Sequence, residues 1–412
     1  MINHKVKILI TNSVPLNGGD EALLRATYLS LNKIFPNAEI TVLCSKIDEC
    51  RKYINDIKLD SDLEFLDLNR VTFKQRVNFK IRRTMLKIFN ISWDSNLSLL
   101  FAKDDEARIK KLYKNCDLVI SSAGGFLHDF YEIRPRIEGF KLALNYKKAV
   151  VLFSQSIGPF WKDNSKALVA KTFPKLSAIF LREFVSLTHL RDSGIPILNV
   201  KVTSDAAFLW RLLMPELFIC KTGKVKTIAM CFRNWPLDSS NIHQTIEKAV
   251  QLCSYLLNDK DKRIIFLSTC QGIPGYVDDS EHAKKIKAAL PEESRARCEI
   301  ITKRHSPVDL IKEYSKCDAF IGMRLHGAIL SMLGGTPAIG LGYEDKTKGI
   351  FSNLGLENYQ VDFDDSIDKW KTITTNFLND VNFIREKLPA ALDIEANKAM
   401  ESIRILETFL DK

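Results

Sequence analysis

Near residue 320 an apolar run gives way to a cluster of polar chemistry, Phe320-Ile321-Gly322-Met323-Arg324-Leu325-His326-Gly327-Ala328-Ile329. The pattern predicts a strand feeding a helix whose start carries Arg324 and His326. Backbone amides, the positive end of the helix dipole and a guanidinium then converge on one point, which is an anion site by its physics. Lys346, in Gly342-Tyr343-Glu344-Asp345-Lys346 after the next apolar run, would add a point charge from the neighbouring loop. A lone histidine is more often structural than functional, but between Arg324 and a helix start the functional role of His326 is favoured.

Other segments repeat the strand, turn and helix-start arrangement. After the first apolar run comes Asn17-Gly18-Gly19-Asp20-Glu21-Ala22, whose exposed amides could meet an anion, with Asp20 either capping the helix or facing a ligand. Ser121-Ser122-Ala123-Gly124-Gly125-Phe126-Leu127-His128-Asp129 offers paired glycines for close backbone approach. Ser154-Gln155-Ser156-Ile157-Gly158-Pro159 is a further strand-end turn. Arg182 emerges from Ala178-Ile179-Phe180-Leu181 where it can reach an anion or pair with Glu183 or Asp205. Neither a Gly-x-Gly-x-x-Gly fingerprint nor a Walker A loop occurs. The Asp-x-Asp sequences Asp60-Ser61-Asp62 and Asp362-Phe363-Asp364 are weak metal candidates, and no clustered Cys and His ligands suit zinc. No metal is expected.

These loops need a scaffold, and apolar runs of strand length supply one. The first series is Val6 to Thr11, Glu39 to Cys44, Leu63 to Leu68, Asp117 to Ser122, Ala149 to Ser154, Ala178 to Arg182 and Val200 to Thr203. The second is Lys226 to Phe232, Arg263 to Thr269, Glu299 to Thr302, Ala319 to Met323, Pro337 to Leu341 and Tyr359 to Phe363. Nearly continuous hydrophobicity within runs, with helical patterns between them, predicts α/β architecture with buried parallel strands. Two series predict two Rossmann-like doubly wound domains facing a cleft: residues 1–215, residues 223–390, and a C-terminal helix over residues 391–412 that packs back on the first. Ligands are expected at the carboxyl ends of the strands.

Composition sets the remaining bounds. The chain has 412 residues, 46% hydrophobic and 27% charged, enough for two or three cored domains and unlike a disordered or fibrous chain. Nine scattered cysteines, none in a Cys-x-x-Cys pair, fit a reducing compartment. No signal sequence or membrane-spanning run is found, so a cytoplasmic protein is expected. Net charge is +10, and seven of the basic residues fall between Arg70 and Lys87 with no acidic one, leaving +3 on the rest. There Phe73, Val77, Ile81, Met85 and Ile88 recur at helical spacing. That pattern fits a helix lying on the inner face of an anionic membrane, or equally a core-facing helix with a solvated face. Nucleic-acid binding is not expected, since no binding motif accompanies the charge.

Taken together, Asn17-Gly18-Gly19-Asp20-Glu21-Ala22, Ala123-Gly124-Gly125, Ser154-Gln155-Ser156-Ile157-Gly158-Pro159, Arg182 with Ser186, Asp205-Ala206-Ala207, Arg324-Leu325-His326-Gly327 and Tyr343-Glu344-Asp345-Lys346 resemble the polysaccharide pyruvyl transferase family in order and spacing. The resemblance covers most of the chain and implies a GT-B-like pair of domains. It implies transfer of pyruvate from phosphoenolpyruvate to two hydroxyls of a sugar, forming a cyclic ketal on a cell-surface polysaccharide or its lipid-linked precursor. Phosphoenolpyruvate would be a co-substrate, with no cofactor. The positions matching the donor site are Arg182, Arg324, His326 and Lys346, with His326 the first candidate for general acid and Arg324 beside it. The acceptor would meet Asn17, Gly19, Asp20 and Gly125.

Two alternatives stand beside this. Arg, Lys and a helix start bind a diphosphate as readily as phosphoenolpyruvate, so a GT-B glycosyltransferase using a nucleotide sugar fits the same residues. A non-catalytic scaffold of glycan assembly would keep the fold without needing Arg182, Arg324, His326 and Lys346 together.

Overall fold

The computed structural model describes residues 5–63, 72–93, 97–98, 104–233, 242–342 and 345–410. It resolves into two compact units. The first comprises residues 1–15, 23–205 and 399–412, the second residues 16–22 and 206–398.

Among the described residues eight strands build the first unit: β1 (Lys7–Ser13), β2 (Glu39–Cys44), β3 (Leu59–Ser61), β4 (Leu118–Ser121), β5 (Gly124–Leu127), β6 (Ala149–Ile157), β7 (Ala178–Leu181) and β8 (Val200–Val202). They form one sheet in the order β3-β2-β1-β4-β6-β7-β8, with β5 added on β6, and every pairing is parallel. Helices α1 (Gly18–Ile34), α2 (Ile47–Arg51), α3 (Phe73–Ile88), α4 (Asp104–Asn115), α5 (Arg134–Asn145), α6 (Asp163–Thr172) and α7 (Phe184–Asp192) alternate with the strands. Leu9, Val119, Val150 and Leu152 on the strands meet Ile137 and Phe140 of α5 in a continuous core. The apolar run expected as a strand over Leu63 to Leu68 lies, beyond Leu63, outside the described residues, and the strand pairing with β2 is β3. β5 comes from the glycine pair expected as a loop.

The second unit carries β9 (Thr227–Cys231), β10 (Arg263–Phe266), β11 (Cys298–Ile300), β12 (Ala319–Gly322), β13 (Ala338–Gly342) and β14 (Gln360–Asp362). Its sheet runs β11-β10-β9-β12-β13-β14, all parallel, the order 3-2-1-4-5-6 of a doubly wound fold. Its helices are α8 (Trp210–Leu213), α9 (Ile242–Leu257), α10 (Ser280–Ala289), α11 (Glu292–Arg295), α12 (Pro307–Tyr314), α13 (Leu325–Leu333), α14 (Asp345–Asn353) and the long α15 (Ile367–Ile405).

The division differs from the expected boundaries in three places. The change of unit falls at Asp205/Ala206, because Ala206, Ala207, Phe208 and Leu209 are buried and the Trp210 indole N–H donates to the Ala22 carbonyl at 3.0 Å. The first loop, residues 16–22, belongs to the second unit although the strand before it is in the first. The expected terminal helix is the end of α15, whose residues from Ala399 onward belong to the first unit. Pro389 sits inside α15, where proline removes a donor and normally breaks a helix. The helix continues because Phe377, Val381, Ile384, Leu388, Leu392 and Ala396 form a buried stripe running through it. Packing of that stripe outweighs one poor residue.

Helix α3 faces the core with Phe79 and Leu86. Arg82 on it pairs with the buried carboxylate of Glu106 on α4, which also accepts the Trp93 indole N–H at 2.9 Å and pairs with Lys110 at 3.0 Å. The stripe noted in the sequence is on another side: Phe73, Val77, Ile81, Met85 and Ile88 are exposed. Of the expected basic segment, Arg70 lies outside the described residues.

Candidate active site

In the second unit the topological switch point lies between β9 and β12, the adjacent strands whose connections leave in opposite directions. Side chains just past the carboxyl ends of these strands and their neighbours are therefore gathered along one edge. Arg233 follows β9, Ser268 and Thr269 follow β10, Arg324 and His326 follow β12, and Lys346 follows β13 on the first turn of α14.

Arg324 is the N-cap residue of α13, in extended conformation, and is 8% exposed. Its Nε and Nη2 donate to the two carboxylate oxygens of Asp279 at 2.7 and 2.8 Å. Asp279 is itself buried and also accepts the Ser268 hydroxyl at 2.5 Å. A planar fork on a carboxylate fixes the guanidinium orientation. The same pair offsets part of the guanidinium's charge, so Arg324 stands at the helix start as an oriented ion pair. Nothing in the sequence distinguished Asp279: Asp278-Asp279-Ser280 reads as a helix start, and Asp278 does take that part, accepting the Ser280 amide at 2.9 Å.

His326 is half-buried on the first turn of α13 and faces the first loop. A Cβ on Gly19 would stand 2.7 Å from its Nδ1, and one on Gly18 would stand 2.8 Å from the Thr269 carbonyl oxygen. Only glycines admit this approach. The loop is further tied by the Gly18 amide donating to the Thr269 carbonyl at 2.8 Å and by an ion pair between Arg304 and Glu21, a fully buried carboxylate. Because α1 begins at Gly18, the capping position is residue 17, and Asn17 Oδ1 accepts the Gly19 amide at 2.9 Å. Asp20, one of the two expected outcomes for which was capping, is a half-buried first-turn residue instead.

Two cysteines border this edge. Burial pushes the Cys270 thiol up to about 12, partly opposed by Arg324, and burial likewise pushes Cys231 up to about 12. Both are therefore neutral thiols and not thiolate nucleophiles. His282, on α10, is lowered from its ordinary value by burial, and both its ring nitrogens lack a hydrogen-bond partner among the described residues.

The first unit has its own polar carboxyl edge, centred on the switch point between β1 and β4. Asn12, with φ 62°, donates to the Ser121 hydroxyl at 3.1 Å, and Ser154, with φ 50°, donates to the Ser204 carbonyl at 3.0 Å. Two non-glycine residues in the left-handed region beside one strand edge mark strain of the kind that collects at functional sites. Arg182 is 1% exposed, its Nε donating to the Ser156 hydroxyl at 2.7 Å and its Nη1 to Asp205 at 2.8 Å. Of its expected alternatives the pairing with Asp205 is realised. Glu183 instead caps α7 and accepts the Ser186 hydroxyl at 2.6 Å. Gly125 is half-buried on β5, and its carbonyl lies 3.3 Å from Nε2 of His128.

The second unit thus brings together Asn17, Gly19, Asp20, Arg324 and His326, with Lys346 on the helix that follows the next strand, whereas Arg182 and Gly125 belong to the first unit. The leading aspartates of the candidate Asp-x-Asp sequences are engaged elsewhere: Asp60 pairs with Arg108, and Asp362 with Lys348 at 3.0 Å. Among the described residues no group of three His, Cys, Asp or Glu side chains is placed to hold a metal. A cavity of about 500 Å³ lies at the amino ends of β1 and β2, lined by Lys7, Glu39, Thr41, Arg108 and Lys111. It is at the wrong end of the sheet for the switch-point site.

Two doubly wound sheets, each with polar side chains collected at the carboxyl edge, define an α/β protein of GT-B-like class. Solved structures share that fold: Anabaena HepE in complex with UDP and glucose (TM-score 0.57, 12% identity, 98% of this chain and 99% of that one), and the UDP-GlcNAc 2-epimerase of Neisseria meningitidis bound to UDP-GlcNAc (0.57, 13%, 99% and 100%). The chain belongs to the family described as polysaccharide pyruvyl transferase, whose sequence profile matches residues 17–345. It is similar to the amylovoran biosynthesis protein AmsJ of Erwinia amylovora, 27% identical over 375 residues, 88% of this chain and 89% of the relative. It is a transferase of polysaccharide biosynthesis. No described helix is long and apolar enough to cross a membrane.

Proposed function

We propose that this protein transfers pyruvate from phosphoenolpyruvate to two hydroxyls of one sugar, on a cell-surface polysaccharide or its lipid-linked precursor, forming a cyclic ketal. The observation that carries the proposal is the seating of His326, on the helix that Arg324 caps, against Gly19 of the first loop at the switch point of the second sheet. Family membership supplies the class of reaction.

Phosphoenolpyruvate presents a carboxylate and a phosphate, and oriented amides, a helix start and cations answer both. Arg324, held in one plane by Asp279, and Lys346 would fix the donor. Arg182, the remaining position that matches the family's donor site, is proposed to bind the donor as well. His326, protonated, gives its proton to the methylene carbon, leaving a positive centre at C2 next to the bridging oxygen. One sugar hydroxyl adds to C2 and releases its proton, which neutral His326 can receive. Phosphate then leaves with its C–O bond pair, and the second hydroxyl adds to the resulting oxocarbenium and gives its proton to the departed phosphate. Phosphoenolpyruvate and a diol become a ketal and inorganic phosphate. No oxidant or reductant enters, so the scheme uses no cofactor. Asn17, Gly19, Asp20 and Gly125 are proposed to meet the acceptor.

The test is calorimetric titration with phosphoenolpyruvate and, separately, with nucleotide sugars, repeated on His326→Gln and on Arg324→Ala after circular dichroism has verified folding. Saturable phosphoenolpyruvate binding that Arg324→Ala removes is expected, with acceptor-dependent phosphate release that His326→Gln abolishes. A protein that binds a nucleotide sugar and ignores phosphoenolpyruvate would refute the proposal.

A further inference from the structure

We infer that helix α3 is a docking element for an anionic lipid surface. At 3.6 residues per turn, Phe73, Val77, Ile81, Met85 and Ile88 fall within an arc of about 120°. They are 80%, 38%, 56%, 43% and 69% exposed. The core-facing side of the helix is a different one, filled by Phe79 and Leu86, so the exposed stripe is not the face that holds α3 to its unit. Five large apolar side chains in one row on water have no role in that packing.

The charges around the stripe say what covers it. Arg76, Lys80, Arg83 and Lys87, all exposed, line one flank of the arc, and exposed Lys74 stands within it. No acidic residue occurs on the helix. An apolar row edged by cations matches a surface whose interior is hydrocarbon and whose boundary is negative: the side chains enter the acyl region while lysine and arginine reach the headgroups. A second copy of the chain fits poorly, since a two-fold contact through this stripe would set the same cations against one another. A nucleic acid would meet the cations and leave the apolar row in water. The docking is independent of which donor the protein uses.

Flotation of the intact protein with vesicles tests it, using phosphatidylcholine alone and an equal mixture of phosphatidylcholine and phosphatidylglycerol. Binding to the mixture that weakens with salt, and little binding to phosphatidylcholine, is expected. Ile81→Ser with Ile88→Ser should lower binding at least about tenfold, through lost apolar burial. Lys80→Glu, Arg83→Glu and Lys87→Glu together should lower it by roughly two orders of magnitude or more. Circular dichroism and thermal unfolding of these surface variants should match the parent. No binding to the mixed vesicles, equal binding by the variants, or equal binding to phosphatidylcholine alone would each overturn the inference. So would a concentration-dependent dimer that Ile81→Ser with Ile88→Ser dissolves, which would assign the stripe to a second copy.

Discussion

Gly19 and the ring of His326 approach so closely that a Cβ on residue 19 would stand 2.7 Å from Nδ1 and 2.8 Å from the Cβ of His326. The backbone of Gly19 is not in the left-handed region, so the constraint is space alone. Gly19→Ala must therefore displace either the loop or the start of α13. A loss of about 1–3 kcal/mol is expected from the overpacking, read as a shift in the urea midpoint. Transferase activity should fall more than stability does, because the residue displaced is the proposed acid. A Gly19→Ala protein with parental activity would separate His326 from the chemistry.

The Arg324–Asp279 fork makes a prediction of the opposite sense, in which the carboxylate matters most. Asp279→Ala leaves a nearly buried guanidinium without its partner, expected to cost about 3–5 kcal/mol. Asp279→Asn keeps the shape and an acceptor for Ser268 and should cost less. Denaturant unfolding of the two variants checks the order, and equal small losses would show that Arg324 finds another partner.

Arg182→Lys tests the buried fork of the first unit. One ammonium cannot reproduce the separate bonds that Nε makes to Ser156 and Nη1 to Asp205. With one buried partner left unmet, a loss of about 1–3 kcal/mol is expected, measured by urea unfolding.

Stability should also depend on pH through two imidazoles whose ring nitrogens are buried. Burial lowers His282 and His305 from their ordinary value of 6.5, and for His305 the charge of Lys303 adds to the effect. Both ring nitrogens of each lack a hydrogen-bond partner among the described residues. The unfolded chain then binds more protons than the folded one below the ordinary value, so the contribution is complete above about pH 6.5 and is lost as pH falls towards the folded values. The urea midpoint should drop between about pH 7 and pH 5, and His282→Gln with His305→Gln should flatten that slope. The lowered carboxylates Glu39 and Asp56 act in a separate, more acidic window, being lowered chiefly by their bonds to Lys58 and Arg25.

Much of this fold was legible in the sequence because parallel strands buried on both faces must be nearly continuously apolar. Twelve of the fourteen observed strands coincide with the expected runs. The exceptions are short: β3 is three residues long, and β5 grows from Gly124-Gly125, whose composition argues for a loop until β6 offers it an edge. Pro389 shows the same limit of local signals, since propensity argues for a break where a buried stripe sustains one helix. Asp279 was invisible as a functional residue because an aspartate before a helix is usually its cap.

The sequence by itself determined the two series of strands, the glycine and cation types at their ends and the family to which the chain belongs, because these depend on local periodicity and residue order. Tertiary structure alone decided which side of α3 is covered, that Arg182 takes Asp205 and Arg324 takes Asp279, and that the first loop is packed against His326 rather than with its own strand. Each of these is a contact between residues far apart in the chain, where the partner is set by how sheets and helices close around a core and not by any spacing that can be counted along it.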